Sequence, residues 1–220
     1  MPLRFVVHNI LIRNANTMKK TLIVGGFVIL IGLLLSWNRI FPAAAPTALI
    51  TDPNNLPGIE TGPTPWYPEI AHLRTRLADI GLPALGAEGT VLHIHQHIDL
   101  IINGSPVSIP AGIGVNEAAG FISPVHTHDT SGVIHVESNT TRDFTLGQFF
   151  DIWGVLFTKN ALGSYRADTG HTLKVYADGK LVAGDPRDLV LTKHEEIAVV
   201  YGTASSTLAI PSNYTFVEGY

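Results

Sequence analysis

Six histidines, His93, His95, His97, His126, His128 and His135, crowd the middle of a 220-residue chain that has ten in all. Their spacing matters as much as their number, because HIHQH and HTH set imidazoles two positions apart. In a strand, residues i and i+2 share a face and stand about 6.5 Å apart. A metal–nitrogen bond of about 2.0 Å plus the imidazole arm lets two such side chains grip one ion. On a straight strand His93 and His97 stand about 13 Å apart, too far for all three to meet at one ion. His95 is therefore expected to pair with one neighbour, with room for two sites. His126 and His128, expected in a loop entering the next strand, and His135, on that strand's polar face, supply the remaining ligands. Asp99, Asp129 and Glu137 can ligate, or accept the hydrogen bonds that orient an imidazole.

Nitrogen donors with an optional carboxylate suit zinc, copper(II), nickel or iron(II), while calcium and magnesium want oxygen. Zinc or copper(II) is the expected cofactor. There is no cysteine, and the methionines are Met1 and Met18. Disulfides, thiolate zinc sites, iron–sulfur clusters, blue copper and methionine-rich copper(I) sites are thereby excluded.

Three functions compete. The first is a metal-binding domain serving acquisition, buffering or delivery. The second is a metal-dependent enzyme in which three histidines leave a position for water, with Glu137 or Asp129 as general base. The third is a structural or partner-binding module whose histidines face solvent or respond to pH. G-x-S-x-G, H-E-x-x-H and phosphate-cradling glycine loops are absent from the sequence, so no catalytic residue is assigned.

The elements that must position these residues read as α+β. In VLHIHQHIDLIINGSPVSIP the alternation puts Leu92, Ile94, Ile98, Leu100 and Ile102 on one strand face and His93, His95, His97 and Asp99 on the other. Asn103-Gly104 marks a tight hairpin turn. GVIHVES repeats the pattern around His135 and Glu137. FTLGQFFDIWGV reads as a helix with a Thr145/Gln148 capping box and a core stripe of Leu146, Phe149, Phe150 and Trp153. PEIAHLRTRLADIG reads as a helix opening at Pro68, with a stripe of Ile70, Leu73, Leu77 and Ile80, a solvent-facing His72 and Gly81 at its end. HTLKVYADGKLVAG is a second hairpin around Asp178-Gly179, and EEIAVVYG is an apolar strand. Together these predict a mixed sheet wrapped on one helix, in an order like the β-grasp. SNYTFVEGY is expected at the surface, and His8, His171 and His194 are expected to be incidental.

Charge divides the chain. Residues 1–20 hold four of the 14 basic residues and none of the 18 acidic ones. Thr21 to Trp37 is uncharged and, at 1.5 Å per residue, spans about 25 Å, near the lower limit for crossing a bilayer. Basic residues before an apolar run predict a cytoplasmic amino end and an extracytoplasmic remainder, a single-pass cell-membrane protein. The alternative is a signal peptide, starting at Met1 or Met18 and cut after Ala43-Ala44-Ala45, which would free a soluble exported domain. Residues 38–65 hold six prolines and read as an extended spacer. The histidine-rich domain is expected over 66–220. The expected partners are the membrane, through 21–37, and a metal ion. The acidic remainder argues against nucleic acid, and no protein partner can be named from these residues.

The runs HIHQHIDLIINGSPVSIPAGIGV, HTHDTSGVIHVES and FTLGQFFDIWGV resemble those of an uncharacterised family of membrane-anchored, exported prokaryotic proteins with HxHxH and HTHDTSG motifs. With LADIGLPAL, KVYADGK and IPSNY the resemblance covers roughly residues 66–215. It implies an exported, tethered domain and supplies no activity or catalytic residue.

Overall fold

Alternating apolar residues make Leu92–Ile102 a strand, β1, that is buried on both faces over most of its length. Asn103 (φ 52°) and Gly104 (φ 79°) turn it back into Ser105–Val107, β2. Two successive left-handed residues match the right-handed twist of the paired strands, which is why Asn-Gly stands there. The remaining strands of the main sheet are β3 (Val125–His126), β4 (Val133–Ser138), β5 (His171–Ala177), β6 (Lys180–Leu181) and β7 (Glu196–Thr203). Asp178 and Gly179, again left-handed, close the β5–β6 hairpin as expected.

The sheet runs β6-β5-β7-β1-β4-β3, with β2 also on β1. β1 and β7 are parallel, with Ile98 opposite Ile197 and Leu100 opposite Val199. The other pairs are antiparallel. Parallel neighbours need a long crossover, and here it carries Leu146–Trp153, helix α2. Thr145 and Gln148 form the expected capping box, and Gly154 ends the helix in the left-handed conformation. Phe149, Phe150 and Trp153 are fully buried in one cluster with Ile98, Leu100, Val136, Ile197 and Val199.

The protein is mixed α+β and mostly sheet, with two α-helices among the described residues, one in each segment that reads as a helix. Helix α1 is Leu73–Asp79 and starts five residues later than Pro68. Glu69 caps it from outside, accepting from the His72 backbone N–H at 3.2 Å. The fully buried Arg76 donates to Glu69, to Asp151 O at 2.8 Å and to Ile152 O at 3.1 Å, which holds Pro68–Glu69 in a non-helical approach. Ile70 is consequently exposed, and the stripe reduces to Leu73, Leu77 and Ile80.

The computed structural model describes residues 49–203 and 209–220. The basic segment 1–20, the apolar run 21–37, His8 and the start of the proline-rich stretch lie outside them. Among the described residues no helix is long and apolar enough to cross a membrane. The described part of the stretch read as a spacer is packed and belongs to the same compact unit as the other described residues. Leu56 is buried, and Glu60 donates its backbone N–H to Gly154 O at 2.7 Å and accepts from the Leu156 N–H at 3.0 Å.

Candidate metal centre

Strand register assembles the histidines. His95 of β1 stands opposite His135 of β4, and His135 stands opposite His126 of β3. Directly opposed residues project to the same side, so three imidazoles form a row across three adjacent strands. One step along, His93 stands opposite Glu137. This face is the one opposite Ile98, Ile134 and Val136, as the alternation predicts. His126 belongs to a short strand and not to a loop, and His128 follows two residues beyond it.

The rings converge. The Nε2 atoms of His126 and His128 are 3.1 Å apart, and those of His93 and His95 are 3.2 Å apart. Two nitrogens on one tetrahedral zinc stand about 3.3 Å apart, so each pair already spans one edge of a coordination tetrahedron. One donor atom each of His126, His128, His135 and Glu137 lies within 4.8 Å of all the others, and the same holds for His93, His95 and Glu137. Glu137 is common to both groups. Its Oε1 is 3.2 Å from His93 Nε2 and 3.2 Å from His135 Nδ1, and its Oε2 is 4.0 Å from His126 Nε2.

Local hydrogen bonds set which nitrogen is free. His126 Nδ1 lies 3.0 Å from the Ser123 carbonyl. A carbonyl only accepts, so Nδ1 carries the proton and the Nε2 lone pair points into the cluster. Burial, then the charges of neighbouring imidazoles, hold His95 and His126 down to about 4 and His135 to about 3. These rings are neutral, ligand-ready imidazoles at ordinary pH. Burial, then the adjoining Glu88 carboxylate, push Glu137 up to about 7.

His97 is set apart. Its Nδ1 lies 2.7 Å from Glu196 Oε2 and its Nε2 lies 2.9 Å from the Ser131 carbonyl. Burial opposes its charge, but the hydrogen bond to Glu196, the carboxylate's charge and the Ser131 carbonyl together raise its pKa. A donor atom each of His97, Asp99 and Glu196 also falls within 4.8 Å of the others, but both His97 nitrogens are already engaged. Asp129 is exposed and accepts from the Ser131 backbone N–H at 2.8 Å.

The carboxyl-terminal segment is at the surface, as expected, and lies across this face. Tyr214 stacks on His97 and Tyr220 on His95, with centroids 3.8 Å and 4.4 Å apart. His194, expected to be incidental, helps to hold the segment: Nε2 lies 2.8 Å from Tyr220 O and its ring stacks on Phe216. His171 pairs with Asp168 at 3.0 Å, on a different strand.

Sequence reasoning missed Glu88, whose Oε1 lies 3.4 Å from His128 Nε2. Gly89 delivers it. A Cβ there would sit 2.2 Å from the Ser138 backbone, so only glycine lets the chain pass this close to the end of β4. Glu196 and the tail aromatics were also missed, although the Tyr214/Phe216 alternation is a readable sign of an extended segment with one aromatic face. No family profile, curated protein or solved structure matches this chain.

Proposed function

We propose that this chain is a metal-binding protein that holds a divalent transition metal, zinc or copper(II), in the cluster of His93, His95, His126, His128, His135 and Glu137. The observation that carries the reading is the His126–His128 pair. Its Nε2 atoms are a tetrahedral edge apart, the His126 lone pair is turned inward by Ser123, and His135 and Glu137 are within reach. Gathering imidazoles at a largely buried site costs desolvation, and metal ligation by their lone pairs offsets it. His97 is read as half of an ion pair with Glu196, outside the centre.

The basic segment 1–20 and apolar run 21–37 support a tether with the metal domain on the extracytoplasmic side, in acquisition, buffering or delivery of the ion. The parallel, adjacent first and last long strands and the helical crossover between them support a β-grasp-like description.

Elemental analysis of the chain, purified without a histidine tag after exposure to zinc or copper(II), tests the site. Stoichiometric metal is expected, with loss on replacing His126 and His128 together. Metal-free wild-type protein that takes up neither ion above pH 7 would sink the reading. A reporter fused after residue 60 tests the topology, and activity confined to the cytoplasm would reverse it.

A further inference from the structure

The donors outnumber what one ion can use. Five imidazoles and Glu137 face one another, whereas a tetrahedral zinc takes four ligands. They also fall into two sets on either side of one strand. His93 and His95 come from β1, His126 and His128 come from β3 and the turn after it, and β4 lies between. Strands next but one to each other are about 10 Å apart. Each histidine pair leans inward over β4, and each has its own Nε2 edge, 3.2 Å on one side and 3.1 Å on the other.

β4 contributes the two residues between the pairs. The His135 ring centroid is 4.5 Å from that of His95 and 4.4 Å from that of His128, midway between the sets. Glu137 turns Oε1 toward His93 and His135, at 3.2 Å each, and Oε2 toward His126, at 4.0 Å. A carboxylate whose two oxygens face a donor from each set has the arrangement of a bridge. In two-metal sites the ions stand about 3.5–4 Å apart, a separation that one bridging carboxylate spans. Glu88, 3.4 Å from His128, adds a second negative charge at the rim, which two dications require more than one does.

We infer, resting on the metal-binding reading above, that the centre is dinuclear. One divalent ion sits on His126, His128 and His135, a second sits on His93 and His95, and the Glu137 carboxylate bridges them. The second ion, with only three protein ligands, keeps a position for an exogenous donor such as water or a small anion.

The test uses the full chain, stripped with chelator and loaded with zinc for stoichiometry or with copper(II) for electron paramagnetic resonance. Two zinc ions per chain are expected. The copper(II) signal should integrate to well under the bound copper, because bridged spins couple. His93 is half-exposed, so His93→Ala should fold and bind one ion, with copper(II) giving its full uncoupled signal. Glu137→Gln keeps the shape but not the second anionic oxygen, so it should lose an ion or regain the full signal. Asp99→Asn, in the separate His97 and Glu196 group, should keep two coupled ions.

One ion in the wild type overturns the dinuclear centre and leaves the metal-binding reading standing, whereas none overturns both. Two uncoupled ions, or two that survive His93→Ala and drop to one in Asp99→Asn, overturn the bridge and move the second ion to His97.

Discussion

Tyr214 lies flat on His97, with ring centroids 3.8 Å apart and planes 6° from parallel. The stack covers a buried hydrogen bond between His97 and Glu196, residues 99 positions apart in sequence. Aromatic pairs of this kind contribute about 0.5–1.5 kcal/mol beyond burial. Tyr214→Ala should therefore lower unfolding free energy by about that amount or somewhat more. Denaturant melts of the metal-free protein measure it, and an unchanged midpoint would count against the tail as part of the fold.

His97→Ala should be costlier. It leaves Glu196, which is 1% exposed, without its imidazole partner, and removing one member of a buried pair costs about 3–5 kcal/mol. Metal uptake by the surviving folded fraction should match wild type. A variant that melts like wild type but binds less metal would show that His97 is a ligand.

The core gives an independent scale. Phe150 is fully buried, stacked on Phe157 at 4.3 Å and on Trp153 at 5.8 Å. Phe150→Ala should destabilise by about 3–5 kcal/mol. A loss below about 0.5 kcal/mol, the level of a surface change, would contradict the packing of α2 on the sheet.

Acid should act through the cluster. Burial first, and then the neighbouring imidazoles, hold His135 at about 3, below the unfolded-chain value of about 6.5. As pH falls the unfolded chain takes up that proton first. The His135 contribution to stability is thus fully present above 6.5 and is lost as pH drops toward 3. Glu137, raised to about 7, acts in the opposite sense, its contribution being lost as pH rises toward 7. Variants isolate each: in chelator, the melting-temperature loss between pH 6.5 and 4.5 should be shallower in His135→Gln than in wild type, and steeper in Glu137→Gln. Parallel curves for all three proteins would refute this.

Ligation should add stability in turn. An ion that binds only the folded chain stabilises it by about 2.7 kcal/mol at a hundred times its Kd. Calorimetry above pH 7 should show zinc or copper(II) raising the wild-type melting temperature, and His171→Ala, in its separate pair with Asp168, should retain the full rise. Loss of the rise in His171→Ala would move the site.

What was legible from residue order alone was whatever rests on local geometry. Strand side chains alternate with a period of two, so His95 and His135 had to oppose Ile98 and Val136 once those segments were extended. Asn103-Gly104 and Asp178-Gly179 tolerate left-handed backbone, so both hairpins could be placed, and the Thr145/Gln148 capping box closes within one turn of helix. The start of helix α1 was not legible because the hold on its entry is remote: Arg76 reaches Asp151, 75 positions away.

The centre itself depends on pairings that sequence distance conceals. Only the β1–β4 and β3–β4 registers bring His95, His135 and His126 into one row, and a slip of one residue would turn each to the other face. Only the fold puts Glu196 beside His97, Glu88 beside His128 and Tyr220 over His95. Each of these contacts joins separate segments whose meeting is decided by how the whole sheet closes. Residue types and spacing therefore marked the six histidines as a set, and tertiary structure divided that set between a converging cluster and an ion pair.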